Sequence, residues 1–235
     1  MAFIERSAET RGSVLTGADR AVAALAADTA RQGRTQRCGQ HSIVFYEGDP
    51  AARVYELVSG TVMLYKLLPD GRRQVVEVLT PGMIFGAASG VNYDCSAETL
   101  TPAAILVHER HEIDDSRDLQ GHLARCLMAQ MERMHEHAVL LGRKSALERV
   151  TSFLMHMVPG RGGEGCTGPA TPDCDTHDVP LAMTRQEIAD YLGLTIETVS
   201  RVISELKRRG LVKVERQDRI YVTRVCGICQ LTGIH

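Results

Sequence analysis

The 235 residues carry a formal net charge of −2, 44% hydrophobic side chains and seven cysteines. That apolar share can bury a real core in one large domain or two modest ones. No apolar run approaches the ~20 residues a membrane span needs. The opening residues, Met1-Ala2-Phe3-Ile4-Glu5-Arg6, lack a basic segment followed by an apolar one, which points away from export. Seven scattered cysteines, an odd number, then read as free thiols in a reducing cytoplasm.

Residues 1–37 read as a polar, Ala-rich extension with one short helix near Gly17–Gln32. From Cys38 to Arg110 the chain reads as β structure, within a domain of residues 38–116. Ser42–Phe45, Val54–Leu67, Gln74–Leu79 and Ala103–Val107 are apolar runs, separated by Gly48-Asp49-Pro50, Ser59-Gly60, Pro69-Asp70-Gly71 and Pro81-Gly82. Short strands with glycine at the corners suggest a barrel or jelly roll. A long helix follows, Leu119–Lys144 within a 117–158 segment. Its apolar residues Ala124, Leu127, Met131, Met134, Ala138 and Leu141 recur at spacings of three and four. That stripe fits a helix packed on its own domain or a dimer seam equally well. His135 and His137 on the same helix read as solvated. A second helix runs from Ala146 to Met157, with Leu147, Val150 and Leu154 inward. Residues 159–178 hold five glycines and three prolines and read as a mobile loop.

Residues 179–235 carry the strongest pattern. Thr184 and Glu187 form a capping-box pair, Ile188, Ala189 and Leu192 face inward, and Gly193 makes a turn. Leu194 enters the core, Thr195 caps a second helix, and Gly210 ends it. Leu211–Val214 and Ile220–Val222 then predict a hairpin. This is the layout of a winged helix-turn-helix, which sets its second helix in the DNA major groove. A small α+β module for protein contact is the plainer alternative. Charge favours DNA mildly: Thr184–Arg224 holds nine Lys/Arg against six Asp/Glu, +3 in an otherwise acidic chain. The expected base-reading residues are Ile196, Glu197, Ser200 and Arg201. Arginine can donate twice to guanine, a carboxylate can accept from cytosine, and an apolar side chain can meet a thymine methyl. Glu197 and Arg201, four apart, are also expected to pair with each other. Arg185, Thr195 and Thr198, near helix N-termini, suit phosphate contacts.

The run Met183-Thr184-Arg185-Gln186-Glu187-Ile188-Ala189-Asp190-Tyr191-Leu192-Gly193-Leu194-Thr195-Ile196-Glu197-Thr198-Val199-Ser200-Arg201 resembles the helix-turn-helix of the Crp–Fnr superfamily. Glu56–Val62, Asp70–Gln74 and Pro81–Gly86 resemble its β-roll, so the resemblance covers roughly residues 40–225 in order. It implies an α+β fold with a β-roll sensor domain, a dimerisation helix and a DNA-binding domain. It also implies a homodimer acting on promoter DNA with RNA polymerase, and it turns the Leu127, Met131, Met134, Ala138, Leu141 stripe into a dimer seam. Glu197-x-x-Ser200-Arg201 is similar to the Fnr/FixK branch, with half-sites like TTGAT and control of genes for low-oxygen life. Cys95-Ser96-Ala97 stands where the cyclic-nucleotide pocket would need an arginine, and Phe85-Gly86-Ala87 lacks its glutamate. The clustered N-terminal cysteines of the oxygen-sensing branch are missing, with His108 at the roll position. No cofactor or metal is therefore expected, and an effector-dependent regulator with a small ligand in the β-roll is the alternative.

Other features allow sharper readings. Cys226-Gly227-Ile228-Cys229 is a C-x-x-C, but it follows a predicted strand with no helix opening after it to activate a thiol. A zinc site drawing on it with Cys166, Cys174, His177 or His235 fits no standard spacing. Oxidation of an exposed cysteine as a regulatory event stays open. So does a roll serving only as a dimer scaffold. A cupin-like metalloenzyme is disfavoured, since His41, His108 and His111 lack paired spacing.

Overall fold

The computed structural model of the chain describes residues 34–162, 166–169, 171 and 174–233. The helix expected near Gly17–Gln32 lies outside them. Eight strands come first: β1 (Arg34–Cys38), β2 (Ile43–Phe45), β3 (Arg53–Ser59), β4 (Val62–Leu67), β5 (Arg73–Leu79), β6 (Ile84–Phe85), β7 (Ser96–Thr99) and β8 (Ala103–Glu109). They build two four-stranded sheets, ordered β1-β8-β3-β6 and β2-β7-β4-β5, with antiparallel neighbours throughout. The first strand takes in the last four residues of the stretch read as an extension. Its polar sequence Arg34-Thr35-Gln36-Arg37 hides it from hydrophobic patterning, because it lies exposed at a sheet edge against β8.

Alternation along the strands sends Leu57, Val62, Leu79, Ala97 and Ile105 into a fully buried core. Aromatic rings fill its centre. Phe45 stacks on Tyr93 at 3.8 Å between centroids and on Tyr55 at 5.5 Å, and Tyr55 stacks on Phe85 at 5.2 Å. The Pro69-Asp70-Gly71 turn joins β4 to β5, with Gly71 N–H donating to Leu68 O at 2.9 Å. At the Ser59-Gly60 corner only glycine fits. Its φ is +92°, and a Cβ there would stand 2.5 Å from the Pro102 carbonyl.

Three helices leave the roll: α1 (Arg110–Asp115), α2 (Arg117–Arg143) and α3 (Ala146–His156). Ser116 caps α2 by accepting from Leu119 N–H at 3.3 Å, and Ser145 and Glu148 form a capping box on α3. The C-terminal unit contains β9 (His177–Pro180), α4 (Arg185–Leu192), α5 (Ile196–Arg208), β10 (Val212–Arg216), β11 (Arg219–Val222) and α6 (Val225–Cys229). Its sheet order is β10-β11-β9, so the expected hairpin gains a third strand from the end of the Gly/Pro-rich stretch. That stretch is also anchored: Arg161 pairs with Asp175 at 2.8 Å, and Asp175 O accepts from Val225 N–H at 2.8 Å. The C-x-x-C differs from expectation too, since Cys226 and Cys229 lie within α6 itself. One apolar cluster joins the roll to this unit, running from Met63, Tyr65, Val75 and Leu100 to Val150, Leu154, Ile188 and Leu206. Among the described residues no helix is long and apolar enough to cross a membrane.

Candidate nucleic-acid interface

Two capped helices and a glycine turn create the interface. Thr184 Oγ1 accepts from Glu187 N–H at 3.3 Å, and Glu187 Oε2 accepts from Thr184 N–H at 2.7 Å, fixing the start of α4. Gly193 ends α4 in the left-handed conformation, φ +60° and ψ +41°. Thr195 Oγ1 then caps α5 by accepting from Thr198 N–H at 3.2 Å. Val199, Ile203 and Leu206 are buried on one face of α5. The opposite face presents Ile196, Glu197, Ser200, Arg201 and Ser204 to solvent. All four residues expected to read bases therefore share one exposed face at the start of the second helix.

The expected Glu197–Arg201 ion pair is absent among the described salt bridges. Glu197 is held below the usual carboxylate range by helix N-terminal backbone and by the Thr195 hydroxyl, with Arg201 contributing only charge at longer range. The two side chains are thus not committed to each other. Of the phosphate candidates, Thr195 is exposed and Thr198 half-buried. Arg185 is half-buried, and its Nη1 is buried without a hydrogen-bond partner. At the far end of α5, Glu205 pairs with Arg208 at 2.6 Å and Arg209 at 2.7 Å.

Helix α2 reverses the usual placement of polar and apolar residues. The side packed on its own chain carries buried His122, Cys126 and Gln130 and half-buried Arg133 and His137. Gln130 Nε2 donates to Glu77 at 3.3 Å, and the His137 ring stacks on Tyr191 of α4 at 4.3 Å. His137 is therefore not solvated, and burial pushes its imidazole pKa down. Apolar side chains occupy the outer side: Ala124, Leu127, Met128, Met131, Met134 and Ala138 are all exposed, Met131 by 53% and Met134 by 54%. Leu141 differs from the rest of the expected seam. It is half-buried, with Cδ2 3.4 Å from where a side chain at Gly193 would begin.

Two arginines that the sequence did not single out tie these parts together. Arg149 of α3 donates to the carbonyls of Leu141 at 2.7 Å, Lys144 at 2.9 Å and Leu192 at 2.9 Å, joining the ends of α2 and α4. Arg73 of β5 pairs with Asp190 of α4 at 2.9 Å and lies 5.5 Å from the Tyr65 ring centroid. Between roll and α2, fully buried Glu56 faces His122 Nε2 at 3.4 Å and His108 Nε2 at 3.8 Å. Burial opposes its charge, but His108 and His122 hold Glu56 down to about 2. Cys126 and Glu56 hold His122 up to about 10. Among the described residues no group of three His, Cys, Asp or Glu side chains is arranged to hold a metal ion. Where a nucleotide-binding arginine would stand, the Cys95 thiol is buried and pushed up to about 12 by burial. Ser96 Oγ accepts from Glu47 N–H at 2.9 Å.

Comparison with known proteins agrees with this geometry. Residues 148–231 match the Crp-like helix-turn-helix domain, and residues 35–116 match the cyclic nucleotide-binding domain. The chain belongs to the Crp–Fnr family of transcription regulators, which are not enzymes. Within that family it is FixK-like. It is 39% identical to the nitrogen fixation regulation protein FixK of Rhizobium meliloti (strain 1021) over 170 residues, 72% of this chain and 73% of that protein. It is 32% identical to the transcriptional activator protein FnrL of Cereibacter sphaeroides, over 85% of this chain and 80% of that one. The structure of FixK2 from Bradyrhizobium japonicum superposes with a TM-score of 0.72 at 30% identity, covering 86% of this chain and 98% of that one.

Proposed function

We propose that two copies of this chain pair through the outer face of α2 and bind an inverted repeat resembling TTGAT-N4-ATCAA. RNA polymerase is then recruited to genes for low-oxygen metabolism. Arg201 and Glu197 read the G·C pair of each half-site, Ser200 and Ile196 contact neighbouring base edges, and Arg185, Thr195 and Thr198 hold phosphates. The observation carrying this reading is the shared exposed face of Ile196, Glu197, Ser200 and Arg201. The dimer is supported by α2, whose apolar stripe lies open while its polar side is packed. Binding needs no cyclic nucleotide, a reading supported by the buried Cys95 thiol and the stacked rings in the roll.

The test is titration of wild type and Arg201→Ala against a labelled TTGAT-N4-ATCAA duplex, without effector and at two salt concentrations. Specific wild-type binding should weaken with salt. The variant should lose about 1–3 kcal/mol per half-site. Equal affinity of both proteins for this duplex and a scrambled one would overturn the base-reading assignment.

A further inference from the structure

The Gly/Pro-rich stretch and α6 bring three cysteines into the neighbourhood of Arg161. Arg161 Nη2 donates to Cys226 Sγ at 3.1 Å and to Asp175 Oδ1 at 2.8 Å. The same arginine and the backbone N–H groups of Gly162 and Gly168 stand near Cys166 and draw its thiol pKa down. Cys229, one turn along α6, has its Sγ 3.6 Å from where a side chain at Gly162 would begin. Asp175 fixes the cradle from the other side by accepting from Cys226 N–H at 3.0 Å. Residues 60 positions apart are thus gathered by one salt-bridged pair, and the arrangement serves neither the DNA-reading face nor the α2 stripe.

The two thiols on Arg161 differ in access. Cys166 is exposed, and Cys226 is half-buried behind it. We propose that Cys166 is a peroxide-reactive thiol and that Cys226 resolves it, closing a Cys166–Cys226 disulfide that staples the interdomain stretch to α6. The Cys166 thiolate attacks one peroxide oxygen, the O–O bond breaks, and the departing hydroxide takes a proton to become water, leaving a sulfenic acid. The Cys226 sulfur then attacks the sulfenic sulfur. An S–S bond forms, the S–O bond breaks, and the oxygen leaves as a second water carrying the Cys226 proton. Two thiols are oxidised and one hydrogen peroxide is reduced.

Electrostatics supports this assignment of roles. Hydrogen bonds from Gly162 and Gly168 N–H, with Arg161 beside them, hold the Cys166 thiol below its ordinary range. A fixed positive charge and oriented backbone donors are the surroundings that favour a reactive thiolate. The other exposed thiol, Cys174, accepts from the neutral Thr171 hydroxyl at 3.1 Å and provides an internal comparison. Cys95 and Cys126 are buried.

The test uses the full chain, freshly reduced, with hydrogen peroxide as oxidant and no DNA present. After a short exposure, free thiols are alkylated and the protein is digested without reductant for mass spectrometry. A Cys166–Cys226 cross-linked peptide is expected, with Cys174 still alkylated. In Cys226→Ser, Cys166 should instead accumulate as a sulfenic acid captured by dimedone. In Arg161→Gln the reaction should slow about three- to fourfold for each unit by which the thiol pKa rises above the assay pH, since the thiolate fraction falls while its nucleophilicity rises. Cys166 remaining alkylated after peroxide, or joined to Cys174 or to a second chain, would overturn the proposal. So would Cys166 and Cys174 oxidising at the same rate. Circular dichroism of each variant separates loss of reactivity from loss of fold.

Discussion

Replacing Arg149 by Met keeps the aliphatic stem and removes the fork that joins α2 to α4. The guanidinium reaches the carbonyls of Leu141, Lys144 and Leu192 within 2.9 Å, with a fourth contact to Gly193 O at 3.4 Å. Hydrogen bonds to a charged donor contribute about 1.5–3 kcal/mol each where the partner is left unsatisfied. A cation at a helix C-terminus adds roughly 0.3–1 kcal/mol. The contributions do not add, because Lys144 and Gly193 lie near enough to solvent for water to replace the arginine. A net loss of about 2–4 kcal/mol follows. For a chain of this size that corresponds to a fall in Tm of roughly 5–15 °C. Thermal unfolding followed by circular dichroism measures it. Arg149→Lys should recover less than half, since an ammonium on a flexible stem cannot fork across three carbonyls. A Tm for Arg149→Met within about 2 °C of wild type would refute the reasoning, because that margin is under about 1 kcal/mol.

Two further outcomes are expected. Met131→Glu places a charge in the middle of the open α2 stripe, and light scattering at micromolar concentration should report monomers; a persistent dimer would move the seam elsewhere. The Glu56 cluster makes stability depend on pH at both ends. Glu56 falls from its ordinary 4.5 to about 2 on folding, so its contribution is present above pH 4.5 and lost as pH falls through about 2. His122 rises from 6.5 to about 10, so its contribution is full below pH 6.5 and lost as pH climbs through about 10. The urea midpoint of wild type should therefore exceed that of Glu56→Gln most near pH 6, with the gap narrowing toward pH 10. A gap constant from pH 6 to pH 10 would contradict the paired charges.

The helix-turn-helix was legible because its determinants are local. Thr184 with Glu187, the left-handed Gly193 and the Thr195 cap each act within four residues. The inward positions Ile188, Ala189 and Leu192 followed from helical spacing alone. Contacts between distant segments left no such trace. Arg73 and Asp190 are 117 positions apart, and neither position looks unusual in its own neighbourhood. Glu56 sits in a run of apolar strand residues, and its partners His108 and His122 come from β8 and α2. His137 was read as solvated, although Met134, Leu140 and Leu141 stand three and four positions away. Its burial depends on Tyr191, a residue of another domain. The C-x-x-C was read after a strand because α6 is only five residues long and two of its residues are cysteines, which carry little helical signal.

The apolar cluster running from Met63 and Val75 into Ile188 and Leu206 bears on how this molecule can be taken apart. A fragment beginning near Thr184 would keep the exposed face of α5 and the β10–β11 hairpin, yet expose the side of α4 that rests on β5. A chimera with another family member's roll would need matching residues at Tyr65, Arg73 and Val75, or the graft would sit on a mismatched floor. The domain border drawn from sequence is therefore a poor place to cut. A roll exchanged between relatives would have to carry its half of that buried seam along with it.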